Sequence, residues 1–150
     1  MKRHLTALIA LVALASTAIA ASSATAAAKR GTTIKLGKTS VGTILSTSNG
    51  FTVYEFSRDR RNKDVCITIS GCASTWPAVT TKAKPVAARG VNARLLGSIK
   101  LKNGSRQVTY DGHPLYHYSG DFGPRQTDYV GISASGGTWY GIDAKGRRVK

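Results

Sequence analysis

The feature that most constrains this chain is a stretch that occurs twice. Residues 49–59 read Asn-Gly-Phe-Thr-Val-Tyr-Glu-Phe-Ser-Arg-Asp, and residues 111–121, 62 positions later, read Asp-Gly-His-Pro-Leu-Tyr-His-Tyr-Ser-Gly-Asp. Four of the eleven positions are identical: Gly50/Gly112, Tyr54/Tyr116, Ser57/Ser119 and Asp59/Asp121. A common residue makes up about 7% of an average chain, so chance supplies fewer than about one such match. The chain is therefore read as an internal duplication. A unit of three or four strands cannot bury two faces alone, so the copies are expected to share one core. The predicted fold is all-β: a single small domain of two tandem antiparallel units related by a pseudo-twofold, repeat 1 spanning about 31–88 and repeat 2 about 95–150.

Turn chemistry fills in each copy. Asn49-Gly50 and Asp111-Gly112 sit between extended segments. Such pairs favour type I′ turns, which need positive φ at both central residues. The same hairpin is therefore predicted in both copies. Asn103-Gly104, Gly136-Gly137 and Asp143-Ala-Lys-Gly146 mark further turns. Beyond each hairpin, residues 53–56 and 115–118 should be extended. Strand alternation then puts Tyr54 with Phe56, and Tyr116 with Tyr118, on one aromatic face, with Glu55 and His117 pointing away and His117 at the surface. Two short similarities complete the copies: Ile34-Lys-Leu36 with Ile99-Lys-Leu101 upstream, and the Thr75-Trp76 and Thr138-Trp139 strands downstream. Residues 80–90, polar and basic, read as a surface connection.

The first residues stand outside this fold. Met1-Lys-Arg-His4 precedes an apolar run from Leu5 to Ile19, followed by small-residue cleavage sites. That is the layout of a signal peptide, expected as a helix over 1–28 with cleavage after Ala20 or Ala28. The run is short and diluted for a membrane span, so no stable transmembrane segment is expected after cleavage. The first cysteine is Cys66, so the chain as written has no lipid-anchoring cysteine and is read as exported, periplasmic or extracellular.

The domain over 29–150 is strongly basic. Without Lys2 and Arg3, 20 basic residues face seven acidic ones, a net charge of +13. Such a field attracts anionic polymers and lipid surfaces. An exported protein meets envelope polymers first, and the charges form no long basic tract, so nucleic acid is not expected as the partner. Cys66 and Cys72, the two cysteines, are expected to pair in an oxidising compartment. By the loop-entropy model so short a loop adds roughly 2 kcal/mol.

Tyr54-Glu-Phe-Ser-Arg-Asp59 and Tyr116-His-Tyr-Ser-Gly-Asp121 both fit Y-x-[FWY]-x-x-D, and Cys-x5-Cys-Ala-x-x-Trp-Pro follows the first. With tandem copies and an export signal, this combination resembles the bacterial secreted-repeat family whose members carry that motif. The resemblance covers roughly residues 42–149 and implies an envelope location and a β-rich repeat, without a chemistry. Many members have a lipobox cysteine, which this chain lacks.

Two roles are open for the motif residues Tyr54, Phe56, Asp59, Tyr116, Tyr118 and Asp121. Five residues separate each Tyr from its Asp, so an unbroken strand would put them on opposite faces. In the first role the strand stops near Ser57 or Ser119, and the Asp starts a turn whose backbone N–H groups its carboxylate accepts. In the second, the pseudo-twofold gathers both Tyr/Asp pairs into a polar pocket for a cation or for acid–base work. Trp76 and Trp139 are expected in the core rather than as stacking platforms. His113 and His117, on a strand, lie roughly 13 Å apart, too far for one zinc ion. Nucleophile-elbow, His-Glu-x-x-His and phosphate-loop patterns are absent from the sequence. No catalytic residue, metal or cofactor is therefore assigned. The sequence reads as a non-enzymatic binding or structural module for anionic partners, the alternative being a metal-handling, redox or hydrolytic protein built on the paired motifs.

Overall fold

The computed structural model describes residues 30–150; the signal segment and its cleavage lie outside them. Eleven short strands carry the fold. In order they are β1 Thr33–Thr39, β2 Gly42–Thr47, β3 Glu55–Phe56, β4 Thr80–Thr81, β5 Val86–Ala87, β6 Leu96–Lys100, β7 Arg106–Tyr110, β8 His113–Pro114, β9 Ser133–Ala134, β10 Gly137–Ile142 and β11 Arg148–Val149. Two helical turns lie around the disulfide, a 3-10 turn Cys66–Thr68 and α1 Cys72–Thr75, and α1 takes in Thr75, where the sequence predicts the start of a strand. The fold is all-β, as the duplication predicts.

The leading hairpins of the two halves share one register. In the β1–β2 hairpin Ile34 faces Thr47, and in the β6–β7 hairpin Leu96 faces Tyr110. The structure therefore matches Ile34 with Leu96, not with Ile99, and the Ile-Lys-Leu similarity falls on non-equivalent positions. Four such pairs, Ile34/Leu96, Leu45/Val108, Val53/Leu115 and Val79/Ile142, lie in one apolar cluster completed by Val91 and Tyr110. Each copy thus contributes matching side chains to a core that neither encloses alone.

The two motif hairpins differ. Asp111 and Gly112 both have positive φ, 46° and 78°, and Tyr110 pairs with His113, so this two-residue loop is the predicted type I′ turn. In the first copy only Gly50 is positive, at 89°. There the Gly50 N–H donates to the Thr47 carbonyl (2.8 Å) and the Thr47 N–H to the Phe51 carbonyl (2.9 Å), which leaves a three-residue loop of type I geometry closed by a left-handed glycine. The extra residue, not the Asn-Gly pair, selects the turn. A second type I′ pair, Ser135-Gly136 with φ of 56° and 77°, joins β9 to β10. Gly137 already belongs to β10, where a Cβ would lie 2.7 Å from the Phe56 ring.

One pairing departs from the antiparallel expectation. Residues 80–90 are not a bare connection: β4 joins β7, and β5 runs parallel to β1, with Thr33 facing Val86.

The exchange of strands between copies positions the site. Residues 55–57 of the first copy pair with β10 of the second, Phe56 facing Trp139 and the Ser57 N–H donating to the Thr138 carbonyl at 2.9 Å. Residues 115–119 of the second copy pair with 75–79 of the first: the Val79 N–H donates to the Leu115 carbonyl, the His117 N–H to the Pro77 carbonyl and the Ser119 N–H to the Thr75 carbonyl, each at 2.9 Å. Every motif strand is completed by the tryptophan strand of the other copy.

Candidate functional site

The motif strands meet at the pseudo-twofold. The Tyr54 N–H donates to the Tyr116 carbonyl (2.8 Å), and the Tyr116 N–H to the Tyr54 carbonyl (2.9 Å). Each strand then stops where the sequence places it: the Asp59 N–H closes a turn on the Phe56 carbonyl, and the Asp121 N–H closes one on the Tyr118 carbonyl, both at 3.1 Å. The tyrosine hydroxyls cross over. Tyr54 donates to Asp121 Oδ2 at 2.8 Å and Tyr116 donates to Asp59 Oδ2 at 2.7 Å. Each motif therefore binds the aspartate of the other copy, and all four side chains are buried.

Burial sets the protonation of this quartet. Loss of solvent pushes the Asp59 carboxyl up to about 7, against hydrogen bonds from Val65 and Tyr116 that favour the ionised form. It pushes Asp121 up to about 6, against the bond from Tyr54. The residual repulsion comes from within each copy, Asp64 acting on Asp59 and Asp128 on Asp121. Both phenols are driven well above the usual tyrosine range, first by burial and then by the carboxylate each one faces. They are hydrogen-bond donors fixed in the neutral form.

The aromatic residues pack behind the quartet. Trp76 and Trp139, equivalent positions of the two copies, stack at 3.6 Å between centroids and 7° between planes. Phe56 stacks on Trp139 at 4.2 Å, and Tyr116 meets Trp139 edge-on at 5.2 Å. Tyr118 lies half-buried against Trp76. Trp76 is 1% exposed and Trp139 0%, so their faces serve the core.

The halves differ in how the carboxylate's second oxygen is served. Asp59 Oδ1 accepts the Val65 N–H at 2.7 Å, from the loop that the Cys66–Cys72 disulfide closes. That is the turn-capping role read from the sequence. Asp121 Oδ1 is buried and has no partner among the described residues, because the cysteine-free loop after it, with Phe122 87% exposed, brings no N–H to that position. The indoles differ likewise. The Trp139 N–H donates to the Ala134 carbonyl at 3.2 Å, whereas the Trp76 N–H has no partner among the described residues.

One buried charge cluster escapes the sequence reading. Glu55, expected to point away from the aromatic face, has a side chain only 1% exposed, and Arg148 grips its Oε1 through Nη2 at 2.6 Å and Nε at 2.8 Å. His113 Nδ1 lies 3.1 Å from the same oxygen. Both faces of this strand are covered, so alternation gives no outward position. Arg148 looks in the sequence like part of a solvated basic terminus. His117, the counterpart of Glu55 in the other copy, is half-buried rather than at the surface, and burial lowers its pKa.

A family model described as a secreted repeat of unknown function matches residues 35–80 and again 97–141, and the chain belongs to that family. No curated protein and no solved structure matches it. No helix among the described residues is long and apolar enough to cross a membrane.

Proposed function

We propose that this secreted-repeat protein is a non-catalytic binding module that engages anionic polymers of the cell envelope through its surface. The observation that carries this reading is where the seven carboxylates go. Glu55, Asp59 and Asp121 are buried, Asp111 is paired with Arg61 and Asp143 with Arg147. Asp64 caps the Ile67 N–H at 2.9 Å, which leaves Asp128 as the remaining acidic side chain. The lysines and arginines, by contrast, are exposed almost without exception. The net charge is therefore expressed outward with little compensation, which favours polyanions and makes their binding depend on salt.

The crossed Tyr/Asp quartet supports the same reading from the other side. Its two hydroxyls are each spent on a carboxylate of the other copy inside the core, which makes the motif a clasp between the copies. Co-sedimentation of the purified protein with cell-wall material, anionic vesicles and DNA over a salt series tests the proposal. Wall material should bind best at low salt and release as salt rises; no binding at low ionic strength refutes it. The unpartnered Asp121 Oδ1 is the one observation favouring the metal-handling alternative. A stoichiometric ion in metal analysis, lost in Asp121→Asn, would replace the present reading.

A further inference from the structure

The surface charge is not spread evenly over the grooves of the molecule. The segment before β1 is pinned across β4, the Thr32 N–H donating to Thr81 Oγ1 at 3.0 Å and the Thr32 hydroxyl to the Thr80 carbonyl at 2.7 Å. Gly31 fits there because a Cβ would lie 1.9 Å from the Lys84 carbonyl oxygen. This docking holds Arg30 beside an open groove of about 630 Å³ that is also lined by Thr80, Lys82, Ser105 and Arg106. A second groove of about 340 Å³ shares Arg106 and adds Lys84, Pro85 and Ser98. No carboxylate lines either one.

Arg106, at the junction, is held in place without being neutralised. Its Nε and Nη2 donate to the Ser98 hydroxyl at 3.1 and 2.9 Å, and Nη2 also reaches the Ser98 carbonyl at 3.3 Å. The arginines in ion pairs among the described residues are Arg61, Arg147 and Arg148, none of which lines these grooves. The four groove cations Arg30, Lys82, Lys84 and Arg106 thus stay uncompensated, and one guanidinium is already oriented by neutral partners. With Nε and Nη2 held by Ser98, Arg106 keeps Nη1 for an anion, and a charge-assisted bond from a guanidinium already oriented suits a phosphate oxygen.

We infer that the joined grooves over β4, β6 and β7 are a binding track for a linear phosphate-bearing polymer. Successive phosphates would lie against Arg30 and Lys82, then Arg106, then Lys84. A chain is favoured over a membrane because the cations line concave grooves that meet at one residue, where a strand of polymer fits and a planar headgroup layer touches only the rims. The inference rests on the anionic-partner reading and gives it a location and a ligand class.

The test uses long-chain inorganic polyphosphate as the probe, with inorganic phosphate, phosphatidylglycerol vesicles and polyglutamate beside it. One variant carries Lys82→Gln, Lys84→Gln and Arg106→Gln. A charge-matched control carries Arg58→Gln, Arg60→Gln and Lys63→Gln, which empties a separate basic depression. Titration calorimetry at low salt, with melting curves to establish that both variants are folded, should show polyphosphate binding weakened roughly tenfold or more in the groove variant and less than about threefold in the control. Equal losses in the two variants overturn the groove while leaving the general charge reading intact. No wild-type binding to any of the anions overturns both. Polyglutamate binding as tightly as polyphosphate overturns the phosphate class, vesicles binding more tightly overturn the chain, and inorganic phosphate binding equally well overturns the extended track.

Discussion

Replacing Tyr54 by Phe removes one hydroxyl and leaves the ring. Its consequence falls on the other copy of the repeat, where Asp121 loses the donor on Oδ2 and has none on Oδ1. A hydrogen bond to a charged group is worth about 1.5–3 kcal/mol, and a buried acceptor left without any partner puts the cost near the upper end of that range. Tyr116→Phe removes the equivalent bond to Asp59, but the Val65 N–H stays on Asp59 Oδ1, so the loss should be nearer 1–1.5 kcal/mol. For a domain of this size 1 kcal/mol corresponds to roughly 4 °C, so Tyr54→Phe should lower Tm by about 10 °C and Tyr116→Phe by about half as much.

Double-mutant cycles turn this into a test of the crossing. With Asp59→Ala and Asp121→Ala as partners and urea unfolding followed by tryptophan fluorescence, the pairs Tyr54/Asp121 and Tyr116/Asp59 should each couple by about 1–2 kcal/mol. The same-copy pairs Tyr54/Asp59 and Tyr116/Asp121 should stay within about 0.5 kcal/mol of additivity. Larger same-copy than cross-copy coupling would refute the exchanged arrangement and with it the reading of the motif as a clasp.

The other predictions concern the same buried charges and the exchange. Asp59 and Asp121 bind protons more tightly folded, at about 7 and about 6, than unfolded, near 3.9. Their contribution to stability is therefore fully present below about pH 4 and is lost as pH rises through 6 to 7. Asp59→Asn and Asp121→Asn should flatten that part of the curve, and a wild-type-minus-variant difference in Tm that does not change between pH 5 and 8 would contradict it. Arg148→Ala leaves the buried Glu55 with His113 alone and should cost about 2–3 kcal/mol in urea unfolding, recovered in part by adding Glu55→Gln; a loss below about 0.5 kcal/mol would mean the pair is unimportant. Cutting the chain between the exposed Arg89 and Gly90 should give halves that are unfolded alone by circular dichroism and fold when mixed, and a cooperative melt of either half alone would overturn the shared core.

Much of this architecture was readable in the order of residues because it is local or repeated. The duplication located both hairpins and both tryptophan strands, and the two-residue spacing around Asp111-Gly112 decided its turn. The small loop between Cys66 and Cys72 announced its disulfide. What the sequence left open depends on partners far along the chain. Whether Tyr54 reaches Asp59 or Asp121 turns on which copy supplies the neighbouring strand, and identical motifs read the same either way. The burial of Glu55 was not legible because alternation says which way a side chain points and not what covers it, and the cover comes from His113 and Arg148, 58 and 93 residues along the chain. The track around Arg106 joins residues from 30 to 106 that share no motif, so only the folded chain assembles it.

The crossing also separates what the repeat encodes from where the proposed binding would take place. A motif whose tyrosine serves the other copy's aspartate cannot be altered on one side without disturbing both, which ties these residues to holding two halves together. Their burial removes them from contact with any partner larger than water. The residues left to meet a partner are on the surface, and in the joined grooves some of them differ between the copies and some do not. Arg106 corresponds to Thr43 and Arg30 to Asn92, whereas Lys82 and Lys84 align with Lys145 and Arg147, so the charge in that segment is common to both copies. The duplication builds the scaffold, and its departures from symmetry at Arg30 and Arg106 join charges common to both copies at Lys82 and Lys84 into the surface that a polyanion would meet.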